Sequence, residues 1–257
     1  MAIFRVIVMA WKLGCVVSTM LPPFEGAGVG WPLLFLSEVF MVVVYSATRN
    51  YYKYLQTTIK SLFAHNDPKV YVLAEDDDAP FPNVINVSGM KPKSVNADTV
   101  FSYMSLLRVQ LADIVSEDKV IYLDVDTVVC DDISPMWEVD MTGKWWGAVK
   151  EKQTWYRPFG NDYYNNGVSI YNLKQMREDG IVPYLTKEMM VKVHPFPDQD
   201  VMNMYCVPDK VVPLPMRYNE SACCGMTINP AIVHFAGIPN WYNNPYILRS
   251  EYLAKYL

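Results

Sequence analysis

Two aspartates one residue apart, Asp124 and Asp126, close the run Val120-Ile121-Tyr122-Leu123-Asp124-Val125-Asp126. The apolar residues before them predict a buried strand, and side chains two apart on an extended backbone point to one side. Two carboxylates so placed can face a hard cation such as Mg²⁺ or Mn²⁺, with phosphate oxygens and water completing its shell. An isolated Asp-x-Asp more often only solvates a loop. Its position at the end of an apolar strand favours metal chemistry.

A second chemistry competes for the same residues. Asp124–Val129 also fits the nucleophile loop of haloacid-dehalogenase-type phosphatases, in which the first Asp is phosphorylated and the second is acid and base. That reaction needs a downstream Lys and another acidic pair after a later strand. Asp131-Asp132 stands too close to serve, and no strand-Gly-Asp element follows.

The elements that must position these groups are legible from Met41 onward. Met41–Ala47 is a continuous β-branched run, typical of a strand covered on both faces. Leu55, Ile59, Leu62 and Phe63 predict a helix over Asn50–His65, ended by Asn66-Asp67-Pro68. Strands are expected at Lys69–Leu73, Val84–Val87 and Lys119–Leu123, with a helix over Asp98–Ile114. Later, Gly167–Tyr171 and Ala231–Phe235 read as strands, and Leu173–Glu178 and Val201–Tyr205 as helical pieces. Alternating strands and helices predict one α/β domain with a mixed, mostly parallel central sheet covered by helices. Ligands of such sheets lie beyond the carboxyl ends of the strands, so chemistry is expected just after Ala47, Leu123 and Phe235.

The chain has 257 residues, one to two domains at ~150 residues each. Its hydrophobic fraction of 51% excludes wholesale disorder. Lys and Arg total 22 against 27 Asp and Glu, a net charge of −5, which argues against a nucleic-acid partner. The 18 Tyr and 7 Trp exceed what a core needs; some can stack sugars or bases, while most are expected on the surface. Cys15, Cys130, Cys206, Cys223 and Cys224 show no zinc-like spacing, and adjacent cysteines are poorly placed for an ordinary disulfide. Thiols in a reducing, cytoplasmic compartment are expected.

Residues 1–40 lack strand or helix periodicity and are treated as an N-terminal extension outside the domain at 41–257. Their longest charge-free stretches, Leu13–Phe24 and Gly26–Ser37, fall short of the roughly 18 residues of a spanning helix and carry Pro22, Pro23 and Pro32. A signal peptide needs one clean apolar core, which Lys12 interrupts. Peripheral membrane association or an N-terminal anchor is left open, and no basic amphipathic tail argues for firm docking.

Further motifs join the aspartates in order: Met41–Tyr51, Leu106-Leu107-Arg108, Tyr164-Asn165-Asn166-Gly167-Val168, Phe196–Asn203 containing Asp198-Gln199-Asp200, and Pro230–Gly237 with Trp241 beyond. Together they resemble the retaining glycosyltransferases of family 8, with the GT-A fold, which include lipopolysaccharide galactosyl- and glucosyltransferases and glycogenin. The resemblance implies transfer of a hexose from a UDP-sugar to an acceptor hydroxyl of a glycan, lipid-linked saccharide or protein. By position it assigns Asp124, Asp126 and His234 to Mn²⁺, with Mg²⁺ the alternative. It places Ala47, Thr48, Asn50 and Tyr51 around the uridine and gives Val125 a backbone contact to the nucleotide. Gly237 and Asn240 fall in the diphosphate loop. Arg108, Asn165, Asp198, Gln199 and Asp200 line the donor sugar. Gln199 would lie near the anomeric carbon, and because an amide is a poor nucleophile, same-face attack is favoured over a covalent intermediate, with Asp198 and Asp200 orienting sugar hydroxyls.

The chain departs from the family at two points. Thr48 stands where the base loop commonly carries Asp. The usual Lys-Pro-Trp after the closing Gly is replaced by Ile238-Pro239-Asn240-Trp241, so phosphate affinity would be weaker or would fall to Arg49 or Lys152. A catalytically degenerate nucleotide-sugar-binding homologue is therefore the alternative, ahead of the phosphatase.

Overall fold

The computed structural model describes residues 40–96, 102–152, 160, 162–223, 229–238, 241 and 256. All fall in one compact unit, Val39–Leu257. The extension expected at 1–40 lies outside the described residues except for Phe40.

The first strand, β1 (Val42–Ala47), is buried along its whole length, as its β-branched run demands. After a 3₁₀ turn at Arg49–Tyr51, α1 (Tyr52–Phe63) buries Tyr52, Leu55, Ile59 and Leu62, a stripe at helical spacing. Asn66 closes the helix through its backbone N–H, which donates to the Leu62 carbonyl at 2.9 Å. Next come β2 (Lys69–Ala74) and β3 (Val84–Asn86). The helix expected over 98–114 is described from residue 102 and is not continuous. It consists of α2 (Tyr103–Leu106), a 3₁₀ turn at Leu107–Gln110 and α3 (Leu111–Ile114). Leu107, Arg108 and Val109 are all buried within that turn, so the segment faces protein on more than one side.

The remaining elements are β4 (Lys119–Leu123), β5 (Thr127–Val129), α4 (Ser134–Trp137), β6 (Trp146–Lys150), β7 (Tyr164–Asn172), α5 (Leu173–Glu178), α6 (Val182–Val191), α7 (Pro197–Cys206), β8 (Val211–Leu214), β9 (Glu220–Ser221) and β10 (Ile232–His234). The main sheet runs β3-β2-β1-β4-β7-β6-β8, and only β7 is antiparallel to its neighbours. This is the mixed, mostly parallel α/β sheet anticipated above.

The closing strand departs from the expected plan. β10 belongs to a separate sheet, β5-β10-β9, not to the main one. β5 folds back directly after the Asp-x-Asp turn, and β10 pairs antiparallel with it, His234 opposite Thr127. Trp146, Tyr45, Tyr122 and Tyr171 are fully buried in the core. Three of them find polar partners: Trp146 Nε1–H donates to Ser169 Oγ at 2.9 Å, Tyr122 shares a 2.6 Å bond with Ser46, and Tyr171 donates to Asn166. Among the described residues no helix is long and apolar enough to cross a membrane.

Candidate active site

Because β1, β4 and β6 run in one direction, Ala47, Asp124 and Glu151 all emerge at the same edge of the sheet. The reversed β7 begins there with Tyr164 and Asn165. A cavity of about 410 Å³ opens at this edge, within the range of ligand pockets. Arg108, Asp124, Asp126, Glu151, Tyr163, Asn165, Gly167, Asp198, Gln199, His234 and Gly237 are among its lining residues.

The turn between β4 and β5 is tied at both ends. Asp124 N–H donates to the Gly167 carbonyl at 2.8 Å, and Thr127 Oγ1 donates to the Asp124 carbonyl at 2.8 Å. The Phe235 N–H then donates to the Asp126 carbonyl at 2.9 Å, which brings the neighbouring His234 against the pair. His234 Nε2 lies 3.2 Å from Asp126 Oδ1 and 3.9 Å from Asp124 Oδ2. One ligand atom from each of the three falls within 4.8 Å of the others. Two carboxylates and an imidazole so gathered fit a Mn²⁺- or Mg²⁺-type ion.

Gly167 is what lets them meet. A Cβ there would lie 2.2 Å from His234 Cε1 and 2.6 Å from Asp124 Oδ2, positions only glycine leaves open.

The electrostatics follow from burial and close charge. Burial pushes the Asp124 carboxyl above its ordinary value, with Asp126 adding to the rise and Arg108 opposing it. For Asp126 burial also acts upward, but the charge and hydrogen bond of His234 outweigh it and hold the carboxyl below the usual range. Burial would lower His234; the attraction and hydrogen bond of Asp126 outweigh that and raise it.

Arg108 is buried between two carboxylates. Its NH1 donates to Asp124 at 2.9 Å and to the Asn166 carbonyl at 3.1 Å, and its Nε lies 2.7 Å from Asp198 Oδ2. Asp198 Oδ2 also accepts from Asn166 Nδ2 at 2.7 Å. Gln199 is held at both ends, accepting the Asn166 N–H at 3.0 Å and donating to Tyr163 Oη at 3.1 Å. Asp200 is 0% exposed and absent from the cavity lining. It accepts from Tyr163 Oη at 2.5 Å and from the Phe196 N–H at 3.2 Å, so it supports Tyr163 from behind.

The residues expected around the base lie apart from this cavity lining. Ala47 is buried at the end of β1, while Asn50 and Tyr51 are exposed. Tyr51 sits edge-on to Tyr54, and Tyr54 to Trp241, which stacks on Phe235. The Val125 carbonyl accepts from Thr58 Oγ1 at 2.8 Å. Asn240 lies outside the described residues. Both cations considered as replacements for the missing Lys are engaged: Arg49 pairs with Asp76 at 3.0 Å and Lys152 with Glu220 at 2.6 Å.

Sequence reading missed Glu151, Tyr163 and Asn219. Glu151 follows a parallel strand at the carboxyl edge, the rule that located Asp124; recognising Trp146–Lys150 as a strand would have found it. Tyr163 directly precedes a motif already singled out. No local signal marks Asn219, whose side chain bonds both Asn165 and His234.

A family model described as glycosyl transferase family 8 matches residues 42–240. A probable glycosyl transferase, Gly, of Streptococcus gordonii is 32% identical over 71% of this chain and 29% of its own length. GlyF of Streptococcus pneumoniae is 28% identical over 82% of this chain and 59% of its own. The chain thus spans about a third to three-fifths of the length of these relatives. Among solved structures, an active-site mutant of LgtC superposes with a TM-score of 0.68 at 21% identity, covering 84% of this chain and 94% of LgtC. LgtC bound to donor and acceptor sugar analogues superposes with a TM-score of 0.62 at 22% identity, over 84% and 94% of the two chains. These likenesses show the GT-A fold.

Proposed function

Since the chain belongs to glycosyl transferase family 8, we propose that it is a metal-dependent retaining hexosyltransferase that moves a sugar from a UDP donor to an acceptor hydroxyl. The observation that carries this reading is the convergence of Asp124, Asp126 and His234 in the lining of a cavity of about 410 Å³. These three side chains would hold Mn²⁺, or Mg²⁺. When bound, such an ion supplies positive charge to the diphosphate leaving group.

The protein's own groups do the rest. Arg108 neutralises the buried Asp124 and Asp198 and keeps both carboxylates oriented. Asp198, Asn165 and Gln199 face the donor sugar; Asp200 acts one step back, as a positioning residue through Tyr163. Ala47, Thr48, Asn50 and Tyr51, with the backbone of Val125, take the nucleoside, and Gly237 and Asn240 the diphosphate. In same-face attack the bond from the anomeric carbon to the phosphate oxygen breaks as the acceptor oxygen bonds to that carbon. The acceptor's proton passes to the departing phosphate oxygen. Gln199, pinned between Asn166 and Tyr163, supports an oxocarbenium-like sugar by its amide dipole without becoming a nucleophile. The acceptor is a glycan, a lipid-linked saccharide or a protein. The thiols of Cys130, Cys206 and Cys223 are compatible with a cytoplasmic setting.

A second reading, a nucleotide-sugar binder without turnover, is favoured by one observation: Arg49 and Lys152 are both committed to carboxylates, leaving Asn240 in the position of the family's Lys. Thermal unfolding with UDP, with and without Mn²⁺, tests the first step. At a ligand concentration of 100 times Kd the native state should gain ~2.7 kcal/mol, and only when metal is present; no metal-dependent rise defeats the proposal. Hydrolysis across a panel of UDP-sugars then separates enzyme from binder.

A further inference from the structure

The tautomer of His234 is decided by a backbone amide two residues along from the sugar-facing Asn165. The Gly167 N–H can only donate, and it donates to one side-chain atom of Asn165 at 2.9 Å, which must therefore be the oxygen. That same oxygen receives a second bond, at 2.8 Å, from the Asn219 side chain. The atom of Asn219 facing it must therefore be the NH₂ group, and its carbonyl oxygen is turned the other way. That oxygen lies 2.9 Å from His234 Nδ1, so Nδ1 must carry a proton. In the neutral imidazole the lone pair is then left on Nε2, the nitrogen that faces Asp124 and Asp126.

The chain is anchored at its far end as well. The Asn165 NH₂ donates to Glu151 Oε2 at 3.0 Å, an acceptor that resists reversal of the Asn165 amide. Asn219 and His234 are both almost fully buried, which restricts the competition from water that would otherwise loosen the pair.

We infer that Gly167, Asn165 and Asn219 form a hydrogen-bond relay that sets His234 in the Nδ1–H tautomer and aims its Nε2 lone pair into the metal site, with Asn219 as the positioning residue. This inference rests on the metal-dependent reading above. It also joins the two halves of the site, because Asn165 serves the donor sugar and the metal ligand at once. Outer partners of metal-bound histidines typically govern metal affinity by ~10–100-fold.

The test reads the tautomer in metal-free protein and the affinity separately. Long-range ¹H–¹⁵N correlation at alkaline pH, where the imidazole is neutral, reports which nitrogen carries the proton. The chain has 3 His, so His65→Gln and His194→Gln assign the signals. Wild type should show Nδ1–H for His234. Asn165→Ala, whose hydrogen bonds run to Gly167, Asn219 and Glu151 rather than to the imidazole, should give a mixture of tautomers, because the Asn219 amide is then able to reverse. Asn219→Leu should lower Mn²⁺ affinity, measured by electron paramagnetic resonance of free Mn²⁺, by ~10–100-fold. Asn219→Asp keeps an acceptor toward Nδ1 and should retain the tautomer. If Asn219→Leu does not fold, Asn165→Ala carries the test.

An Nε2–H signal in wild type overturns the relay. So does an unchanged tautomer in Asn165→Ala, or unchanged Mn²⁺ affinity in a folded Asn219→Leu. Failure of wild type to bind Mn²⁺ counts instead against the proposed function, since Nδ1–H in the metal-free protein would still uphold the relay.

Discussion

At the scale of single residues, the site is an arrangement of buried charges that only work as a set. Arg108 touches Asp124 and Asp198 at once. Its removal leaves two carboxylates in the protein without their cation. Arg108→Met should therefore cost ~3–5 kcal/mol in urea unfolding, and Arg108→Lys should not restore it, because one ammonium lacks the fork that reaches both partners. His234 makes a second prediction, of opposite sense in the two states of the protein. Its folded pKa lies above 6.5, so in metal-free protein its contribution to stability is fully present below 6.5 and lost as pH rises through the folded value. A bound metal must displace that proton, so Mn²⁺ affinity should rise with pH across the same window. Melting temperature against pH, with and without Mn²⁺, should give slopes of opposite sign, and His234→Gln should flatten both. Parallel slopes would contradict the assignment. The residue types of this set were readable from spacing for the two aspartates, which stand two apart in the turn directly after β4. For Asn219 they were not, because its role exists only across contacts distant in sequence, to Asn165 and His234.

Among elements, the meeting of β7 with the loop after β4 is the tightest constraint. Gly167 of β7 lies against Asp124 and His234, and its missing side chain supplies the clearance. Gly167→Ala should destabilise the protein by ~1–3 kcal/mol through overpacking and weaken Mn²⁺ binding together with it, as calorimetry and metal titration would show. A variant with unchanged melting and unchanged affinity would mean that His234 has room the structure does not show. The strands β1 and β4 were legible because an unbroken β-branched run has few alternatives to a strand buried on both faces. β6 and β8 were not. β6 contains Gly147, and β8 contains Pro213, residues that argue against a strand interior. β8 tolerates the proline because it is the last strand of its sheet.

For the whole molecule, the described residues make one α/β unit whose first strand begins at Val42, just after the exposed Phe40. We propose that residues 1–40 are an extension to it. A protein beginning at Met41 should then melt within about 2–4 °C of the full chain, the shift worth ~1 kcal/mol at this size, and should hydrolyse the same donor sugar. Loss of folding or activity would place the segment within the domain. The sequence by itself determined the α/β class, the strand that ends at Asp124 and the ordered motifs, because periodicity and charge are written locally along each segment. Only the tertiary structure decided that β10 leaves the main sheet to lay His234 beside Asp126, that Arg108 turns inward, and that Asp200 backs Tyr163. Those outcomes depend on the register between segments far apart in the chain, and no local pattern encodes a register.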